Sequence, residues 1–458
     1  MASARLAAID LPRLARPETA PALPDQIYPA RLERLRERAA SRRYDQVVVY
    51  ADREHGANLS WLTGFDPRFE EAILVVGATG RPMLLAGNEC IGLARIAPLA
   101  VDAILFQDLS LPSQPRDRSS PLQHLLADAG VQAGGRIGIA GWKAPSDRSA
   151  IECPAYLVDD LRAMVGPHGS VENATDLFIA PADGLRVINE PEQIAAFEHA
   201  SCETSTGVRN LLFGLQPGMR EREAVQLLEW SGAPLSCHLM LTAGPRARFG
   251  LLSPGDRPIE RGDPLTVAFG IWGALNCRAG FVVEGPAELP AGIADYVERL
   301  VAPYFDAIAE WYGALHVGQA GGALQEIIDR RLGDPFFGIF LNAGHQLHLD
   351  EWVNSPISRD SRLELASGMV LQADVIPATG GPYFTTNIED GLALADQDLR
   401  TTLARDYPEM WQRVSRRRAF MREALGIELH PDVLPLSNIP GFLPPYLLRP
   451  DLAMTLAQ

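Results

Sequence analysis

Near residue 186 the chain changes character, and that change limits the architectures open to it. In RVINEPEQIAAFEHASCETSTGVRNLLFGL, Asn189 stands as an N-cap, Pro191 sits in the first turn, and helical spacing follows over 191–214. Before it, helix and strand patterns alternate. The Arg-rich amphipathic YPARLERLRERAASRRYD leads to the strand QVVVYAD. NLSWLTGF and EEAILVVG then read as strands around a charged loop, followed by GRPMLLAG, RIGIAG and the helix PAYLVDDLRAMVG. After it the pattern no longer alternates: helical stretches over 293–313 and 320–332 stand beside the strand runs PLTVAFGIWG, NCRAGFVVEG, GMVLQADVIP and GLALAD. Grouped helices and grouped strands predict an α+β domain, and alternation predicts an α/β one. The expected organisation is an arm over 1–27, an α/β domain over 28–185, an α+β domain over 186–395 and a helical, Pro-rich extension over 396–458.

Composition removes several functions. With 57 acidic against 41 basic side chains, a formal charge of −16, the chain has no basic face for a phosphate backbone, which argues against nucleic acid. No apolar run approaches the roughly 20 residues of a membrane span. The five cysteines are scattered and never spaced as CxxC, and the apolar residues of the first segment are broken by Asp, Arg and Pro. The expectation is a cytoplasmic protein with reduced thiols.

Three blocks in the second half carry chemistry: AGHQLHLDEW, SGMVLQADVIP and NIEDGLALAD. In order and spacing they resemble the His, first Glu and second Glu motifs of the creatinase, aminopeptidase P and prolidase family, and ADREHGANLSWLTGFDPRFEEAILVV is similar to that family's amino-terminal domain. The resemblance spans roughly residues 28–395. It implies a pita-bread carboxyl-terminal domain behind a smaller α/β domain, a homodimer, and a pair of divalent ions held by two Asp, one His and two Glu that activate water to cleave a C–N bond.

Matched position by position, the His falls on His345, the first Glu on Asp374 and the second on Glu389. The two Asp positions, eleven residues apart, hold Ala268 and Ala279, and two further family histidines match Leu251 and Trp352. A methyl group has no lone pair, so a dinuclear site is not expected. The expectation is no metal, with a single divalent ion on His345, Asp374 and Glu389 as the alternative, because one imidazole and two carboxylates can bind such an ion. His345 with Glu389 is the expected acid–base pair, and Asp374 completes the cluster. His238 and His348 are reserve catalytic candidates, with core packing as their rival role. Cys237 and Cys277 read as buried structural thiols, since their His and Arg neighbours point to the opposite strand face.

For substrate binding the candidates are Arg68 and Asp66, in the loop FDPRFEE, and Arg278, beside the second lost Asp position. A planar guanidinium can clamp a carboxylate. Two function classes remain: a C–N hydrolase for a small amino-acid-like substrate, and a silent family member that binds a ligand or protein partner through the inherited pocket.

Overall fold

The computed structural model describes residues 3–457. Two compact units appear, one of residues 23–187 and one that joins the first 22 residues to 188–458. The expected amino-terminal arm is therefore divided, and Arg5–Ala8 forms a strand, β1.

In the 23–187 unit six strands follow: β2 (Gln46–Ala51), β3 (Ala72–Gly77), β4 (Met83–Ala86), β5 (Asp102–Leu105), β6 (Arg136–Ala140) and β7 (Ser170–Asn173). They make one sheet in the order β5-β4-β3-β2-β6-β7, antiparallel at β2–β3 and β3–β4 and parallel elsewhere. β2 is apolar almost throughout because both faces are covered. NLSWLTGF departs from expectation, since Ala57–Thr63 is a helix closed by Gly64 at φ 73°, whose N–H donates to the Ser60 carbonyl. Every residue of that helix is buried, so no polar face was available to reveal its period. The Arg31 guanidinium, from the helix Ile27–Arg42, donates to the Trp61 carbonyl at 2.7 Å and lies over the Trp61 ring.

The other unit holds β8 (Met240–Ala243), β9 (Pro264–Ile271), β10 (Ala274–Phe281), β11 (His345–Gln346), β12 (Val370–Asp374), β13 (Asn387–Leu394), β14 (Val433–Pro435) and β15 (Leu452–Thr455). An antiparallel sheet runs β11-β12-β13-β10-β9-β8, with β14 also paired to β13. Between β9 and β10 the chain reverses through Trp272 and Gly273, the latter at φ 91°; a Cβ there would meet the Phe197 ring at 2.2 Å, so glycine is required both by the turn and by the packing. Phe197 belongs to the helix Pro191–Gly214, which starts and stops where its sequence pattern predicts.

The segment after 395 is integrated into this unit. Helices Gln397–Asp406 and Pro408–Glu423 lead to β14 and β15, β15 pairs with β1, and Leu434, Leu436, Phe442, Leu443 and Met454 are buried. Its apolar residues are thus buried within the chain itself.

Candidate functional site

Register decides which side chains of the sheet meet. Cys277 pairs with Glu389, Asp374 with Glu389, His345 with Gln372, and Cys277 with Ala268. Directly paired residues share a face, and residues two apart along a strand share it too. Cys277, Ala279, Ala268, Glu389, Asp374, Gln372 and His345 therefore gather on one face.

His345 is fully buried and stands at the centre. Its Nδ1 lies 3.2 Å from the Gln346 carbonyl oxygen, an acceptor, so Nδ1 carries a proton and Nε2 is turned toward the carboxyl groups. Nε2 has no hydrogen-bond partner but faces three carboxyl groups: Glu351 Oε1 at 3.3 Å, Glu389 Oε1 at 3.7 Å and Asp374 Oδ2 at 3.9 Å. The Trp352 indole stacks on the imidazole, with ring centroids 4.2 Å apart. Gln372 Nε2 donates to Glu389 Oε1 and to the Leu275 carbonyl, both at 3.0 Å, which holds the Glu389 carboxyl in place. Cys277 is also bonded to Glu389 through its thiol.

Three carboxyl groups so close cannot all be ionised without a cation. Burial pushes Asp374 up to about 8, and the Glu389 charge adds to the shift while His345 opposes it. Burial likewise raises Glu389 and Glu351, and Glu351 is raised further by Glu389 and Asp374 although His345 pulls it down. The Cys277 thiol is pushed well above its usual range, mainly by burial and then by Glu389, so it stays protonated.

Sequence reasoning missed Glu351. It lies on the loop after β11 and not on a strand, and the only signal was a third acidic side chain six residues beyond His345. The expected His345–Glu389 hydrogen bond is absent at 3.7 Å; Glu351 comes nearer.

The remaining candidates of this unit lie outside the cluster. Arg278 is corrected: being one residue from Cys277 it points to the opposite face, fully buried, where its Nη2 bonds Asp390 at 2.8 Å and its Nε bonds the Phe442 carbonyl at 2.6 Å. There it anchors the carboxyl-terminal segment. His238 is also corrected, for it is exposed in the loop before β8, with Nε2 2.6 Å from the Leu251 carbonyl oxygen, and not on a strand. His348 is a core residue: Nδ1 accepts from the Leu349 amide at 2.8 Å, and the ring meets Phe197 edge-on. Arg68 and Asp66 lie in the 23–187 unit, where Asp66 accepts from the Arg68 backbone amide at 3.1 Å. Burial raises the Asp66 carboxyl, and the Arg68 contacts oppose that.

Where the two Asp ligands of a dinuclear centre are expected, the residues do not fit. Ala268 packs in an apolar cluster with Met240, Leu275 and Cys277, Cys237 lies against it, and Ala279 is buried on the same face. Among the described residues, His345, Glu351 and Glu389 are the group whose donor atoms all lie within 4.8 Å of one another.

Most of the chain has structural counterparts. A dipeptidase of Pyrococcus horikoshii matches with a TM-score of 0.61 at 21% identity, over 79% of this chain and 94% of that one. A prolidase of Thermococcus sibiricus matches at 0.63 and 17% identity, over 81% and 95%. This is the prolidase fold. An X-Pro aminopeptidase of Thermotoga maritima shares the pita-bread arrangement at a TM-score of 0.61 and 15% identity, over 80% and 95%. By sequence the chain is similar to YqhT, an uncharacterized peptidase of Bacillus subtilis, 25% identical over 228 residues; the match spans 47% of this chain and 62% of that protein. No family model matches. No helix among the described residues is long and apolar enough to cross a membrane.

Proposed function

We propose that the protein is a hydrolase of a C–N bond in a small, peptide-like or amino-acid-like molecule, and that it does not use a two-ion centre. The observation that carries this is the buried His345 Nε2 facing Glu351, Glu389 and Asp374 within 3.9 Å. Asp374, with its carboxyl at about 8, holds a proton at neutral pH and can deliver it to a departing nitrogen. His345, Glu351 and Glu389 form the complementary group, which orients the attacking water. Gln372 and the Gln346 carbonyl keep the Glu389 carboxyl and the imidazole from turning away. Glu351 and Trp352 are partly exposed, so a substrate reaches the cluster from their side. The solved proteins of this fold include dipeptidases and prolidases, which supports a small substrate.

A silent ligand-binding role is the second reading. It is favoured by Trp352, whose indole covers one face of the imidazole at a position where the resemblance implies a histidine.

The same proposal includes a homodimer in a cytoplasmic setting. The five free cysteines support a reducing compartment, and the exposed Phe249, Leu251 and Phe340 support a partner surface. Light scattering that returns a 49.8 kDa particle at micromolar concentration removes the dimer.

The hydrolase reading is tested by a screen of dipeptides and of ureido-, guanidino- and amide-bearing amino acids, with Asp374→Asn alongside the native protein. Turnover that Asp374→Asn reduces strongly supports it. A folded protein that binds members of the screen and turns none over favours the silent role.

A further inference from the structure

The three-residue group around His345 has features that a protonated carboxyl cluster does not require. A histidine that ligates a metal usually donates its other ring N–H to a carbonyl or carboxylate, which aims the free lone pair. His345 does so through Nδ1 to the Gln346 carbonyl at 3.2 Å, and its buried Nε2 has no hydrogen-bond partner. A buried ring nitrogen that faces three carboxyl groups and hydrogen-bonds none of them is a costly arrangement unless a positive centre sits among them. Donors about 2.1 Å from a common centre are separated by roughly 3.0 to 3.4 Å in octahedral or tetrahedral arrangements. Nε2 stands 3.3 Å from Glu351 and 3.7 Å from Glu389, close to that range, with Asp374 farther out at 3.9 Å.

We infer that His345, Glu351 and Glu389 bind one divalent cation, with Glu351 as a ligand from the loop and Asp374 outside the coordination sphere. The inference rests on reading this cluster as the working centre. A second ion has no ligands, because Ala268 and Ala279 occupy the positions that would hold it. One nitrogen and two carboxylates suit Zn, Mn, Fe(II) or Co, and the Cys277 thiol is engaged with Glu389 through hydrogen bonding. Glu351 is about a quarter exposed, which gives the ion an entry from solvent. Asp374, being one methylene shorter than a glutamate, stays free for proton transfer.

The test uses the full chain stripped with a chelator and titrated with Co2+ and Mn2+, read by calorimetry and by the visible absorption of bound Co2+. One equivalent is expected. Loss of a ligand should weaken binding by at least the roughly 10-fold to 100-fold seen when supporting groups are removed, so Glu351→Gln should lose that much while Asp374→Asn stays within about threefold. Glu351 is on a partly exposed loop, and circular dichroism checks that its variant folds. Two equivalents, none, or full binding by Glu351→Gln each overturn the inference. Binding and turnover fail separately: one bound ion without turnover of any substrate leaves the site and removes the hydrolase, while turnover by stripped protein that binds no ion does the reverse.

Discussion

Glu351 Oε1 approaches His345 Nε2 to 3.3 Å, nearer than any other carboxylate of the cluster. A loop residue thus takes the position that the strand residue Glu389 was expected to hold. In metal-free protein burial and the Glu389 charge both oppose its ionisation, so a neutral amide there relieves that cost. Glu351→Gln should raise the melting temperature of stripped protein by a degree or more and lower turnover by about 100-fold or more, the usual weight of a positioned acid–base group. Loss of stability together with loss of activity would mark Glu351 as structural instead.

Stability of the stripped protein should fall as pH rises. The Asp374 carboxyl titrates near 8 in the folded chain and near 3.9 in an unfolded one. Between those values the native state holds a proton that the unfolded chain has released, so unfolding becomes easier with each unit of pH and the effect levels off above about 8. A fully expressed shift is worth about 1.4 kcal/mol per unit, and relaxation around the site reduces this. Melting of native protein and Asp374→Asn at pH 5.5 and 8.5 isolates the contribution: the native chain should lose several degrees more than the variant. Equal losses would show that Asp374 is ionised across the range. A cation held by Glu351 and Glu389 should flatten the curve, since it offsets the Glu389 charge that helps keep Asp374 protonated.

Ala268 and Ala279 make a gain-of-ligand experiment possible. Ala268→Asp alone puts a carboxylate into the apolar cluster of Met240, Leu275 and Cys277, and should cost about 2–4 kcal/mol without metal, as an unpaired buried charge does. Ala268→Asp with Ala279→Asp should raise Mn2+ stoichiometry from one to two and recover part of that loss, because an ion bound only to the native state stabilises it by about 2.7 kcal/mol at 100 times its Kd. Unchanged stoichiometry in the double variant would show that the cluster around Ala268 has closed over the second position.

The legible parts of the sequence were those with an unambiguous period or a hard stop. Pro191 and the spacing behind it gave the helix Pro191–Gly214, and PLTVAFGIWG gave β9 because eight residues of β-branched and apolar character end at a glycine turn. His345, Asp374 and Glu389 converge because motif spacing encodes the register of β11, β12 and β13. What was not legible depended on contacts remote in sequence. Residues 57–63 are buried on all sides and carry no helical period. Glu351 is fixed by a loop whose path no local pattern states. The role of Arg278 needed the pairing of Cys277 with Glu389, since only then does Asp390 fall on the same side as the guanidinium.

That opposite side yields the last expectation. Arg278 and Asp390 form an ion pair at 2.8 Å, each almost wholly buried, and Asn276 and the Gly441 amide also bond Asp390, at 2.6 and 2.9 Å. Removing one partner of such a pair costs about 3–5 kcal/mol because the other is left charged without its counterion. Arg278→Met should therefore lower denaturant stability by that amount, and the further change Asp390→Asn should restore part of it, since the asparagine keeps an acceptor for Asn276 without the charge. The two residues point away from His345, so the single Co2+ equivalent and its affinity should stay within about threefold of native in both variants, a smaller effect than the 10-fold or more that touching a supporting group brings. A large loss of cation affinity with unchanged stability would instead tie Arg278 to the site on the other face of the sheet.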